Sequence, residues 1–96
     1  MEMHHYTLTA PSVTNAGKPS GYAAAVSAGL QHVGIDGWTE QRCKGYWNGK
    51  VEAGTLFTLY LTDCLPLSLQ MIGREAMPDQ EAVQVTYHGT IELWEA

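Results

Sequence analysis

Hydrophobic residues in this chain switch between two spacings, and the order of the switches restricts the folds open to it. Residues 6–10 (Tyr6-Thr7-Leu8-Thr9-Ala10) alternate as a strand does. A helical stretch follows at 20–33, where Tyr22, Val26, Leu30 and Val33 share one face and Ala23, Ala24, Ala25 and Ala28 keep the rest slim. Ser20 stands at its start as a capping residue, and Gly34 at its end as a residue able to take the left-handed conformation. Extended runs come next at 38–47 and 55–62, joined through Asn48-Gly49, a strong two-residue hairpin signal. A second helix is predicted at 65–76, with Asp63 as its cap and Leu65, Leu69, Ile72 and Ala76 as its inner stripe. A last strand is predicted at 82–88, with His88-Gly89 turning the chain into a short tail that carries Trp94.

The resulting order, β-α-β-β-α-β, is the split βαβ arrangement of ferredoxin-like domains, an α+β fold with a four-stranded antiparallel sheet and two helices on one face. Ninety-six residues form a single domain, 1–96, with one modest core. No internal repeat, linker or low-complexity segment interrupts it. The 38–47 strand has no strongly apolar face and is expected at a sheet edge or in a subunit interface, whereas the 55–62 strand is apolar enough to be central.

Two helices cannot cover both sides of such a sheet, and a monomer rarely leaves a large apolar patch in water. A homo-oligomer, dimer or trimer, is therefore expected, with the 38–47 strand and the Trp94 tail at its contacts. Trp38, Tyr46, Trp47, Tyr60 and Trp94 could line a cleft between subunits, but aromatics also dominate ordinary interfaces, and the interface role is favoured. Ten acidic residues against five basic ones give a net charge of −5, which argues against nucleic acid as a partner. No apolar stretch is long enough to span a bilayer, no charged-then-apolar leader opens the sequence, and a cytoplasmic location without membrane partners is expected.

Residues that could carry chemistry are sparse. His4, His5 and His88 would meet if the first strand lies antiparallel to the last, with Glu2 or Glu92 in reach. Such a set suits zinc, copper or nickel, although histidines at a terminus are commonly solvated. The loop ahead of the first helix offers Asn15, Gly17 and Lys18, whose backbone N–H groups and ammonium could hold a carboxylate or phosphate, with Trp47 as a further ligand-binding candidate. The plain alternative is a β-to-α connection. Asp36, Glu40 and Arg42 suggest a polar cluster, best read as a surface ion pair between Glu40 and Arg42. Cys43 and Cys64 lack metal-type spacing and are expected to be buried small apolar residues. No catalytic triad, Walker loop or dinucleotide fingerprint is present, so no catalytic residue is assigned and no cofactor is expected beyond a possible divalent metal.

The string Tyr46-Trp47-Asn48-Gly49-Lys50-Val51-Glu52 resembles the hairpin between the second and third strands of the CutA divalent-cation-tolerance family. Members of that family are ferredoxin-like trimers linked to copper and other divalent metals, so the resemblance implies a trimer with a metal connection. The first strand and the 11–19 loop depart from the CutA pattern, and Cys43 falls later than that family's second-strand cysteine. The loop Thr14-Asn15-Ala16-Gly17, together with Gly45-Tyr46-Trp47, resembles instead a group of small bacterial and phage proteins without an assigned activity. Three readings follow: a non-enzymatic homo-oligomer with ligand or partner surfaces at its subunit clefts, a CutA-like metal-binding trimer, and an enzyme of the dimeric α+β barrel type with its chemistry on the uncovered sheet face.

Overall fold

A computed structural model describes residues 1–47 and 49–94, apart from the side chain of Trp47. The elements run β1 (Glu2–Pro11), α1 (Tyr22–His32), β2 (Thr39–Trp47), β3 (Lys50–Leu61), α2 (Pro66–Ala76) and β4 (Val85–Glu92). The strands form one antiparallel sheet in the order β2-β3-β1-β4, so the fold is the ferredoxin-like α+β arrangement expected from the periodicities. The helices pack on β1, β4 and each other, which leaves β2 at the edge. No helix among the described residues is long and apolar enough to cross a membrane.

Strand alternation builds the core. Tyr6, Leu8 and Ala10 of β1 and Phe57, Leu59 and Leu61 of β3 point to the helix side and are buried. Tyr22, Val26 and Leu30 of α1, with Leu69 and Ile72 of α2, close over them. The helices approach closely at Gly29, where an added Cβ would lie 2.9 Å from Cγ2 of Ile72. Gly34 ends α1 as read from the sequence, at φ +87°. Its N–H reaches the Gln31 carbonyl and that of Ile35 reaches Leu30, a Schellman pattern. Trp47 pairs with Lys50, the register of a two-residue loop, and Gly49 has φ +74°; Asn48 itself lies outside the described residues.

Five expectations need correction. Ser20 does not hold the cap position of α1: Gly21 does, at φ +67°, while Ser20 Oγ accepts from the Tyr22 N–H at 3.2 Å. Asp63 does not cap α2: Leu65 holds the cap position without a side-chain hydrogen bond, and Pro66, which needs no N–H partner, begins the helix. The last strand is not 82–88 followed by a turn and tail; it starts at Val85 and runs to Glu92, because a bulge at His88 and Gly89 lets pairing with β1 continue. Cys64 is exposed and Cys43 half-buried, so neither is a core residue. Glu40 does not pair with Arg42; its carboxylate accepts hydrogen bonds from Ser27 Oγ (2.8 Å) and Trp38 Nε1 (3.3 Å).

Candidate functional site on the open sheet face

The side of the sheet away from the helices carries every second strand residue. Thr39, Thr58, Thr7 and Thr86 stand in register across all four strands and make a polar row over its middle. Beside that row, His5 of β1 lies opposite Tyr60 of β3, and their rings stack with centroids 4.9 Å apart and planes 29° from parallel. On its other side β1 pairs His4 with Thr90 but Tyr6 with Tyr87, so the single residue His5 faces both His88 and Gly89. Gly89 takes φ +92°, a conformation that a side chain would strain, and its place inside the ladder makes the bulge. The bulge sets the His88 ring 4.5 Å from that of His5, while His88 Nε2 shares a 2.8 Å hydrogen bond with Thr7 Oγ1. Two imidazoles, a phenol and a threonine hydroxyl thus stand together on a half-exposed surface.

Burial lowers the His5 pKa below the ordinary 6.5, and the neighbouring His88 lowers it further. Protonating His5 therefore costs more in the folded chain than in the unfolded one. The stability held by its neutral form is fully present above pH 6.5 and falls as the pH drops through 6.5 towards the lower folded value. NMR titration of the His5 ring is expected to give a midpoint below 6.5. His88→Ala should raise that midpoint only part of the way, because burial is the larger cause. A His5 midpoint at or above 6.5 in the parent chain would contradict this electrostatic account.

His4 does not join this cluster. Alternation turns it to the helix side, where its Nδ1 shares a 2.8 Å hydrogen bond with Tyr87 OH. The Tyr87 ring packs 4.9 Å from that of Tyr6, and Tyr6 OH lies 2.9 Å from Cys64 Sγ. Burial and that bond to Cys64 push the Tyr6 hydroxyl up to about 12. Of the three histidines considered for a metal, then, the structure brings together His5 and His88 alone. Among the described residues no group of three or more His, Cys, Asp or Glu side chains is placed to hold a metal ion.

The 11–19 loop folds back on itself: Val13 bridges Pro19, Gly17 turns at φ +77°, and its N–H donates to the Thr14 carbonyl at 2.9 Å. Asn15 is tied to the turn after α2. Its backbone N–H donates to Asp79 Oδ2 (3.2 Å), its side-chain amide donates to the Asp79 carbonyl, and Gln80 Nε2 donates to its Oδ1 (2.9 Å). Tyr22 OH also donates to the Asp79 carboxylate. The carboxylate held by a loop N–H is the chain's own. Lys18 is exposed and stands outside this network. A groove of about 770 Å³ runs beside the Asn15–Asp79 contact, between the 77–84 segment and the β2–β3 hairpin, lined by Thr9, Asn15, Tyr46, Glu52 and Gln84.

Within one chain the aromatics considered for a subunit interface lie apart: Trp38 packs against the core, Tyr46 and Trp94 are exposed, and Tyr60 lies on the open face. The Trp47 side chain is outside the described residues. Sequence reading named Tyr60 only as an interface aromatic and passed over Thr7 and Asp79. Period-two alternation alone would have put Thr7 beside His5, whereas the Tyr60 and Asp79 contacts depend on long-range register. Comparison with protein-family models, curated proteins and solved structures finds no match to this chain.

Proposed function

We propose that this chain is a non-enzymatic, homo-oligomeric ligand-binding protein, in which a sister subunit covers the open sheet face and the His5, Tyr60, His88 and Thr7 cluster lines the cleft between them. The observation that carries this reading is the cluster itself: imidazole, phenol and hydroxyl groups preassembled on a sheet face that, among the described residues, no element covers. Surface area supports the assembly. The chain exposes 6666 Å², against about 5,400 Å² for a compact monomer of its 10.5 kDa mass. The difference exceeds the roughly 800 Å² that a standard interface takes from each partner. Binding is favoured over acid–base catalysis because, among the described residues, no carboxylate hydrogen-bonds to either imidazole to orient it as a base.

Sedimentation equilibrium at micromolar concentration is expected to return a dimer or trimer. Acylation of histidines by diethylpyrocarbonate should slow at His5 and His88 as concentration rises. Exposed His32, at the end of α1, should keep reacting. A monomeric mass with concentration-independent labelling at all three sites would end the proposal.

A further inference from the structure

The edge of the sheet at β2 is open in a way that points to its occupant. The strand runs nine residues, Thr39–Trp47, pairs with β3 without a register break, and contains no proline. Neither helix packs over it to any extent beyond the Ser27 to Glu40 contact, and apart from half-buried Cys43 its described side chains are exposed. Edges of this length are usually blunted by a bulge, a proline or a covering element, because their unpaired N–H and C=O groups template a further strand. Here the bulge is on the opposite edge, in β4. Charged residues are the one blunting device β2 carries, and their order is self-complementary.

We propose that β2 pairs antiparallel with β2 of a second copy about a two-fold axis through Gln41. Such an axis must be normal to the sheet, so both open faces stay on one side and opposed residues share a face. That leaves registers centred on a residue, and charge separates them. Centred on Gln41, Glu40 opposes Arg42 of the second copy on both sides of the axis, and Trp38 opposes its Lys44, a cation over an indole face. Centred on Arg42, two guanidinium groups meet at the axis; centred on Cys43, Arg42 opposes Lys44 twice. Like charges directly opposed are destabilising, so of these three registers only the first is free of a penalty. Among the described residues Arg42 has no hydrogen-bonding or ionic partner, while Glu40 keeps its Oε2 unused. The product is an eight-stranded sheet whose open faces are continuous, with the two histidine clusters on the same side; this edge contact is separate from the one that covers the open face and leaves that face free for it.

The inference rests on the homo-oligomer reading, and the experiment tells the two apart. Full-length chain and the variants Glu40→Arg, Arg42→Glu and the double exchange are compared by sedimentation, with circular dichroism to verify folding. Each single reversal is expected to weaken association about tenfold, and the double exchange to restore it. Independently, with Cys43 and Cys64 replaced by serine, single cysteines at positions 40, 41 and 42 are oxidised. Gln41→Cys should cross-link fastest, since only the axial residue meets its own copy. An oligomer that ignores both reversals, or that cross-links faster through position 42, overturns the edge pairing and leaves the assembly reading standing. A monomeric parent chain overturns both.

Discussion

Phe57→Ala is expected to lower the stability of the domain by about 3–5 kcal/mol. Phe57 sits on the helix side of β3, opposite Leu8 of β1, with no exposed surface, and it is among the largest buried side chains. Removing the ring forfeits its transfer free energy and leaves a cavity that flanking strands cannot close, because both neighbours are fixed by ladder hydrogen bonds. Domains of this size hold only about 5–15 kcal/mol in total. The melting midpoint should therefore fall by about 15–30 °C in calorimetry. Exposed Leu67 of α2 supplies the comparison: Leu67→Ala should move the midpoint by a few degrees at most. Similar effects from the two substitutions would mean that the core is not where the fold places it.

Gly73→Ala should also destabilise, against the normal preference of helices for alanine. Gly73 is buried on the inner face of α2, and a Cβ there would lie 2.4 Å from Cγ1 of Val83 and 3.7 Å from Cδ1 of Leu8. Either α2 or the 77–84 segment must move, at a cost of about 1–3 kcal/mol for overpacking. Alanine returns up to about 1 kcal/mol through helix propensity, so the clash should dominate. Val83→Ala removes the atom in the way. In that background Gly73→Ala should become neutral or stabilising, and chemical denaturation of the four proteins of the cycle would read the coupling. Additive losses would show that Val83 does not set the limit.

Much of the fold is legible in the sequence because local patterns point the same way as the packing. Tyr6, Leu8 and Ala10 alternate, Tyr22, Val26 and Leu30 recur at helical spacing, and each set is buried as its period requires. The hairpin register at Trp47 and Lys50 follows from turn chemistry. What escaped notice depends on contacts distant along the chain or on one residue breaking a rhythm. Asp79 carries no local pattern that marks it, and only the folded chain brings it to Asn15 and Tyr22. Cys64 looks like a core residue until Tyr6 is found to meet it at the margin of the helix layer. Antiparallel pairing of the first and last strands brings all three histidines to one end of the sheet, and period two then separates His4 from His5. Gly89 after His88 reads as a turn, but a glycine inside an alternating run also marks a bulge, and that second meaning is the one realised.

The extra residue in β4 acts as a phase shifter for everything downstream of it. With an unbroken ladder, Met3 would pair with Thr90, and Ile91 would fall beside Glu2 among the groups facing the helix layer. With Gly89 taken up by the bulge, Met3 pairs with Ile91 and Glu2 with Glu92. A greasy margin is thereby laid along one end of the uncovered side, next to the imidazole pair, while the Glu92 carboxylate is left to meet the terminal ammonium of Met1 at 2.9 Å. Straightening the bulge with that glycine kept in the strand would invert the polarity of the strand's last third, turning inward what now lies outward, whereas excising it would leave Thr90 opposite His4 and Ile91 opposite Met3.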